Sequence, residues 1–271
     1  MPESFISVGA LGDGFAADAN ILEPTHDLDG RSFALELEGE HATLTLGDGV
    51  ARYSGAVETP EIPVRVTSVR DGVHLVDGVV ATADGTTSTT AVLDTDAGLV
   101  TLVEGALPSD AVRAESAYTR VQRGDEPTGV TVRIRHGRVA GSTAPLHAPT
   151  TELVGLRNRY TYSPNEAYEH VYLTPDLYTW HCLQGVEKGL ADTDRCHHVA
   201  LRDRLTLFVW REKIVPTLGL ILVDLERMKT DGKIFGNDGF DTTTFVNFPV
   251  GARAEVLNVT DHALDSARVE A

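Results

Sequence analysis

The chain has 271 residues, enough for one large or two small domains, each with a sizeable core. Forty acidic residues against 23 Lys and Arg give a formal charge of −17, which argues against nucleic acid or an anionic membrane surface as partner. The longest apolar candidate, Leu218–Val223, is only strand-sized, so no membrane span is expected. The opening MPESFISVGALGDGF lacks a basic n-region and a true h-region, and two cysteines suit free thiols in a reducing compartment; a cytoplasmic protein is expected.

A helical period is confined to the first 24 residues and the last ten, and period-two alternation dominates between them. Ser32–Leu37 leads through Glu38-Gly39-Glu40 to Ala42–Leu46, which Asp48-Gly49 ends. Val64–Val69, Val73–Val76, Val79–Ala83, Thr89–Asp94 and Leu99–Val103 follow, separated by Asp71-Gly72, Asp77-Gly78, Asp84-Gly85 and Ala97-Gly98. Asp-Gly supplies the positive φ of tight hairpins, so these runs read as an antiparallel meander. Tyr118–Arg138 is expected to add strands, with Thr131–Arg135 alternating well. The Pro- and Thr-rich stretch Gly141–Thr151 reads as a linker.

The second half echoes the first. Leu28-Asp29-Gly30-Arg31 opens one as Leu153-Val154-Gly155-Leu156-Arg157 opens the other, and strands ending in acidic turns recur at Asp94 and Asp224. The expectation is an all-β chain of two small antiparallel barrels in tandem, residues 1–145 and 146–271. The first has neither Trp nor Lys, and a lone Tyr53 where the second has its aromatic cluster, so it reads as scaffold. The second reads as the working unit.

Tyr160 to Glu212 holds five of seven tyrosines, both tryptophans, both cysteines and four of ten histidines. Strand parity puts Tyr160 and Tyr162 on one face, Tyr168, His170 and Tyr172 on another, then Tyr178 with Trp180 and Trp210 with Glu212. Paired phenols can hold a carboxylate or enolate oxygen, and a carboxylate desolvated among aromatics suits a general acid. The competing readings are core packing for the aromatic residues, a core histidine at His181, and a surface ion pair for Glu212. The polar stretch Gly185–His197 reads as a lid over the barrel mouth, with Asp194 and Arg195 locking it or touching ligand, or as an ion-pinned loop. Cys182, Cys196, His197, His198 and Asp194 fit no standard metal spacing, and no nucleotide or GxSxG motif occurs; neither metal nor cofactor is expected.

The strings YEHVYL, YTWHCL, GVEKGLADTDRCH, LFVWREKIVPTLG, GKIFG and NFPVGA resemble the MoaF family. That resemblance spans nearly Leu153–Thr260, with a compatible first half from ILEPTHDLDGRSFALEL onward, and implies two lipocalin- or calycin-like antiparallel β-barrels in tandem. More distantly, Tyr160-Thr161-Tyr162, Ser163-Pro164-Asn165, Tyr168-Glu169 and Trp210-Arg211-Glu212 resemble the order found in phenolic acid decarboxylases, which are cofactor-free lyases. The resemblance implies that Tyr160 and Tyr162 hold a substrate carboxylate and that Glu212 moves the proton. His181 stands where that family has its arginine.

Two functions are therefore expected. The first is a cofactor-free lyase, isomerase or cyclase for a small aromatic or unsaturated carbonyl or carboxylic substrate, with Tyr160, Tyr162, His181 and Glu212 catalytic. Tyr168, His170, Tyr172, Tyr178, Trp180, Trp210 and Arg195 would bind substrate. The second is a non-catalytic carrier of a small aromatic or amine ligand, suited by the negative charge and the aromatic box. A small molecule is the expected partner, and a homodimer is compatible with the chain.

Overall fold

The computed structural model of the chain describes residues 6–16, 19–55, 60–82, 85–239 and 242–260. The helical period expected in the last ten residues lies outside them. The described elements are α1 (Val8–Ala16), β1 (Ser32–Leu37), β2 (Glu40–Gly47), β3 (Val50–Ser54), β4 (Ile62–Arg70), β5 (Val73–Thr82), β6 (Gly85–Asp94), β7 (Leu99–Ala106), α2 (Asp110–Arg113), α3 (Ala117–Gln122) and β8 (Thr131–Val139). There follow β9 (Ala148–Pro149), β10 (Leu156–Thr161), β11 (Ala167–Thr174), β12 (Leu177–Gln184), β13 (Ala191–Arg202), β14 (Leu205–Glu212), β15 (Thr217–Asp224), β16 (Lys229–Asn237), β17 (Phe245–Val250) and β18 (Arg253–Val259).

The chain is all-β apart from three short helices, and it builds two closed eight-stranded antiparallel barrels in tandem. In the first, β1 to β8 run as a meander and β8 closes on β1 with Gly137 opposite Leu37. Its first two hairpins turn on Glu38-Gly39 (φ 51° and 87°) and Asp48-Gly49 (φ 50° and 74°), the positive pairs that match strand twist. In the second, β10 to β16 and β18 close through the β12–β13 pairing. One bent segment supplies β17 along β16, then crosses at Gly251-Ala252 so that β18 pairs β10.

Two sequence expectations need correction. Asp77-Gly78 is not a turn: β5 runs unbroken, because the Asp77 carboxylate is satisfied in the strand by Thr90 (2.7 Å) and Asn247 (2.7 Å). Tyr118–Arg138 is a strand only from Thr131; before that lies α3, whose N-cap Ser116 accepts from the Thr119 N–H at 3.1 Å.

Three apolar clusters result. One fills the first barrel, around Leu37, Leu46 and Leu93. A second lies between the barrels, where Val73, Val92 and Val103 meet Leu207, Leu220 and Leu222. This explains β15: every residue is buried because one face looks into its own barrel and the other toward its neighbour. The third fills the second barrel, and it includes Val8, Leu11 and Phe15 from α1. The helix thus packs on the second barrel, although it precedes the first in the chain. Among the described residues no helix is long and apolar enough to cross a membrane.

Candidate functional site at the mouth of the second barrel

Alternation along β10 to β12 turns Asn158, Tyr160, Tyr168, His170, Tyr172, Tyr178, Trp180 and Cys182 inward. Most of these rings fill the barrel instead of walling a void. His170 meets Tyr160 edge-on at 4.8 Å and Tyr178 at 5.1 Å, and Phe208 stacks on Trp210 at 5.7 Å. The Tyr160 hydroxyl accepts from Asn158 Nδ2 (3.0 Å) and bonds the Tyr172 hydroxyl (2.8 Å). Burial pushes Tyr160 up to about 12, and pushes Tyr162 and Tyr172 up as well. These phenols stay protonated, and Tyr160 and Tyr172 spend a hydroxyl bond on each other. Burial takes His170 down to about 3, so its ring is neutral, and its Nδ1 has no partner.

Open space remains at one end, a cavity of about 220 Å³ beneath α1. It is lined by Ile6, Leu11, Leu190, Ala191, Ile214, Val215 and Thr217, by the Trp180 indole, and by four acids: Glu187, Asp192, Asp194 and Glu212. No basic side chain lines it among the described residues. Both tryptophans address acids there. Trp210 Nε1 donates to Glu212 Oε1 at 3.0 Å, and Trp180 Nε1 donates to Asp194 Oδ2 at 3.0 Å. The Tyr168 hydroxyl donates to Glu187 at 3.1 Å. Gly219 faces Trp210 across the β14–β15 pair, and the indole occupies the space where a Cβ would stand.

The two central acids differ in support. Asp194 also accepts from the Lys213 backbone N–H at 3.1 Å, with the Lys213 ammonium 3.4 Å away. Glu212 has an indole N–H and, among the described residues, no cation. Burial raises both, and for Glu212 the negative charges of Asp194 and Glu187 push further, well above the ordinary carboxylate value. Glu212 therefore holds a proton the more firmly of the two, because the Lys213 ammonium opposes the rise at Asp194. Glu187 is raised by burial too.

The structure separates the residues that the sequence groups together. Glu212 and Trp180 line the cavity, Trp210 and Tyr168 bond its acids, and Tyr178 lies near enough to Glu212 and Asp194 to feel their charge. Tyr160, Tyr162, His170 and Tyr172 sit in the packed interior, with Tyr162 edge-on to Phe15 at 4.7 Å. His181 is a correction. It follows Trp180 on β12 and so faces outward, with Nδ1 3.8 Å from Glu169, which also accepts from Arg157 at 2.7 Å. Arg195 is another, on the outer face with Asp176 and Glu126. The expected lid is a correction as well: Gly185–Leu190 is a hairpin turn, and from Ala191 onward the segment is barrel strand β13.

Sequence reasoning singled out neither Glu187 nor Asp192, and it put Asp194 in a loop over the mouth, locking it or touching ligand. For Asp194 a signal exists: it shares parity with the buried Cys196 and His198, so it faces inward. Both cysteines are free and buried. Among the described residues no group of three or more His, Cys, Asp or Glu is placed to hold a metal ion.

Comparison with known proteins follows the same two-part plan. Residues 3–109 match the family model described as MoaF N-terminal domain, and residues 147–260 match MoaF C-terminal domain. The chain is 45% identical over 263 residues to Protein MoaF of Klebsiella aerogenes, covering 95% of this chain and 97% of that one. Among solved structures, a putative beta-lactamase from Burkholderia vietnamiensis superposes with a TM-score of 0.33 at 8% identity, over 39% of this chain and 95% of its own; likeness at that level carries no argument. With both halves matched and a close relative spanning nearly its whole length, the chain belongs to the MoaF family.

Proposed function

We propose that the mouth of the second barrel binds a small organic cation, an amine with an apolar or aromatic body. The observation that carries this reading is the cavity wall itself, with four acids, one indole face and no basic side chain among the described residues. An ammonium group there would pair with Asp194 and drive Glu212 to ionise, while Trp180 and Leu190 would take its apolar end. A carboxylate substrate would find no basic side chain on that wall to pair with, among the described residues. The test is calorimetric titration with benzylamine and benzoate. Saturable binding of benzylamine alone, lost in Asp194→Asn, is expected; preferential binding of benzoate would overturn the reading.

One observation favours a second reading, acid–base catalysis on the bound compound. Glu212, which burial and its acidic neighbours push furthest toward the protonated form, lies beside Asp194, whose charge the Lys213 ammonium favours. One pocket thus offers a donor and an acceptor, as a cofactor-free lyase or isomerase needs. Glu212→Gln would then still bind ligand, about tenfold more weakly, and lose turnover altogether, whereas a carrier would show no turnover in either form.

A further inference from the structure

The two barrels have the same number of strands and different fillings. Tyrosine, tryptophan, phenylalanine and histidine rings fill the second. Leu, Val and Ala fill the first, where Phe33 and Tyr53 are the only aromatic residues of the described interior cluster and its fringe. Smaller side chains on an equal frame leave space. The first barrel holds a cavity of about 400 Å³, the larger of the two, within the size range of small-molecule sites. Packed interiors do not otherwise keep voids of this size.

Of the polar residues on the wall of this cavity only Arg135 is buried. Arg135 is only 6% exposed, and its two terminal nitrogens are held by Glu104 (3.0 Å) and Glu40 (3.1 Å). Its Nε has no partner, and a buried N–H donor facing an apolar cavity calls for an acceptor. Arg133, farther along β8, pairs with Glu38 at 3.2 Å. The lining carries two carboxylates, Glu40 and Glu104, against two guanidiniums, and both carboxylates are bonded to Arg135, so no positive charge is left over for an anionic head.

We propose that the first barrel is a binding site for a neutral, largely apolar compound whose head carries a carbonyl or hydroxyl oxygen that accepts from Arg135. The aliphatic wall takes the chain, and Leu102 and Val76 lie along it. This site is independent of the acidic pocket in the second barrel and stands if that assignment fails.

The test is calorimetric titration of the full chain with 2-nonanone and with nonanoate. One molecule of 2-nonanone per chain is expected, with nonanoate at least tenfold weaker. Ala91→Phe and Val100→Phe fill the cavity from neighbouring strands, and each should weaken the ketone tenfold or more at an unreduced urea midpoint. Arg135→Met should weaken the ketone about tenfold, and Asp194→Asn should leave it unchanged. Independently of any variant, NMR cross-peaks should link the ketone chain to the methyl groups of Leu35, Val76 and Leu102. Absence of saturable binding, absence of those cross-peaks, unchanged affinity in a folded filled variant, or tighter binding of nonanoate would each overturn the proposal.

Discussion

Arg70 grips Asp224 across the barrel junction with two parallel bonds, Nε at 2.9 Å and Nη2 at 2.6 Å. Arg202 grips Asp94 the same way in the opposite direction, at 2.7 Å and 2.7 Å. The match extends to the backbone, where Arg70 Nη1 donates to the Asp203 carbonyl at 2.9 Å and Arg202 Nη1 donates to the Asp71 carbonyl at 3.0 Å. Each arginine ends the fourth strand of its barrel and each aspartate the sixth. The junction is thus a near-two-fold contact within one chain, the form expected of a self-pairing barrel repeated in tandem.

Removing one grip leaves an aspartate buried without its cation. Arg202→Met should cost about 2 kcal/mol, below the usual figure for a fully buried pair because the Arg202 side chain is a quarter exposed. Arg70→Met should cost a similar amount, measured by urea unfolding. Burial opposes ionisation of Asp94 and Asp224, but the arginines and turn N–H groups outweigh it and hold both low. Their contribution is present above the unfolded carboxylate value and is lost as pH falls through the folded one. Wild type and variant should therefore converge in acid.

Buried histidines set a second acid limit. Burial holds His147 and His198 at about 4 and His170 at about 3. Below the ordinary histidine value the unfolded chain takes up protons that the folded one refuses, so stability falls with pH. His170→Phe keeps the ring packing and removes one such group. Relative to wild type it should gain about 2 kcal/mol between pH 7 and pH 5, read from unfolding curves at the two values.

Amine binding should release a proton. Glu212 holds one in the free protein, and a cation beside it favours the ionised form, so affinity should rise with pH. Titration of benzylamine in two buffers of different ionisation enthalpy reads the proton directly. In Glu212→Gln the release should vanish, with affinity lower by about tenfold, or about 1.4 kcal/mol.

Gly219 makes room for the Trp210 ring. Gly219→Ala forces the indole aside, and a cost of about 1–3 kcal/mol is expected from overpacking. The shift should appear as altered tryptophan emission, together with weaker amine binding, because Glu212 loses its aligned N–H donor.

Tyr160→Phe distinguishes packing from chemistry. Its hydroxyl serves Tyr172 and Asn158, so removal should cost about 1 kcal/mol in stability and leave benzylamine affinity within about twofold. A large loss of binding with unchanged stability would restore the role that the sequence suggests.

Alternation and turn chemistry carried the architecture, because closed meanders are written locally: Asp48-Gly49 names its own hairpin. Asp77-Gly78 did not, since what holds Asp77 in a strand comes from Asn247, far along the chain. Strand parity grouped Tyr178 with Trp180 and Trp210 with Glu212 on shared faces, and the fold turns those faces inward. Parity also excluded His181, which directly follows Trp180, but the positional likeness to an arginine outweighed that alternation. The aromatic concentration is mostly the filling of the second barrel, the packing alternative that the sequence also offered. The acids at the mouth were less visible because Glu187 sits in a turn, where a charged residue reads as solvated.

Helix α1 stands at the start of the chain, yet Val8, Leu11 and Phe15 belong to the core of the barrel made last, and the Gly9 N–H meets the Asp238 carbonyl at 3.1 Å. The first barrel closes by neighbouring hairpins as it emerges from synthesis, whereas this stopper must wait for nearly the whole chain before it finds its seat. Cutting the chain at its linker would not free two complete units. It would yield a first barrel trailing a spare stopper and a second left uncorked at its acidic mouth.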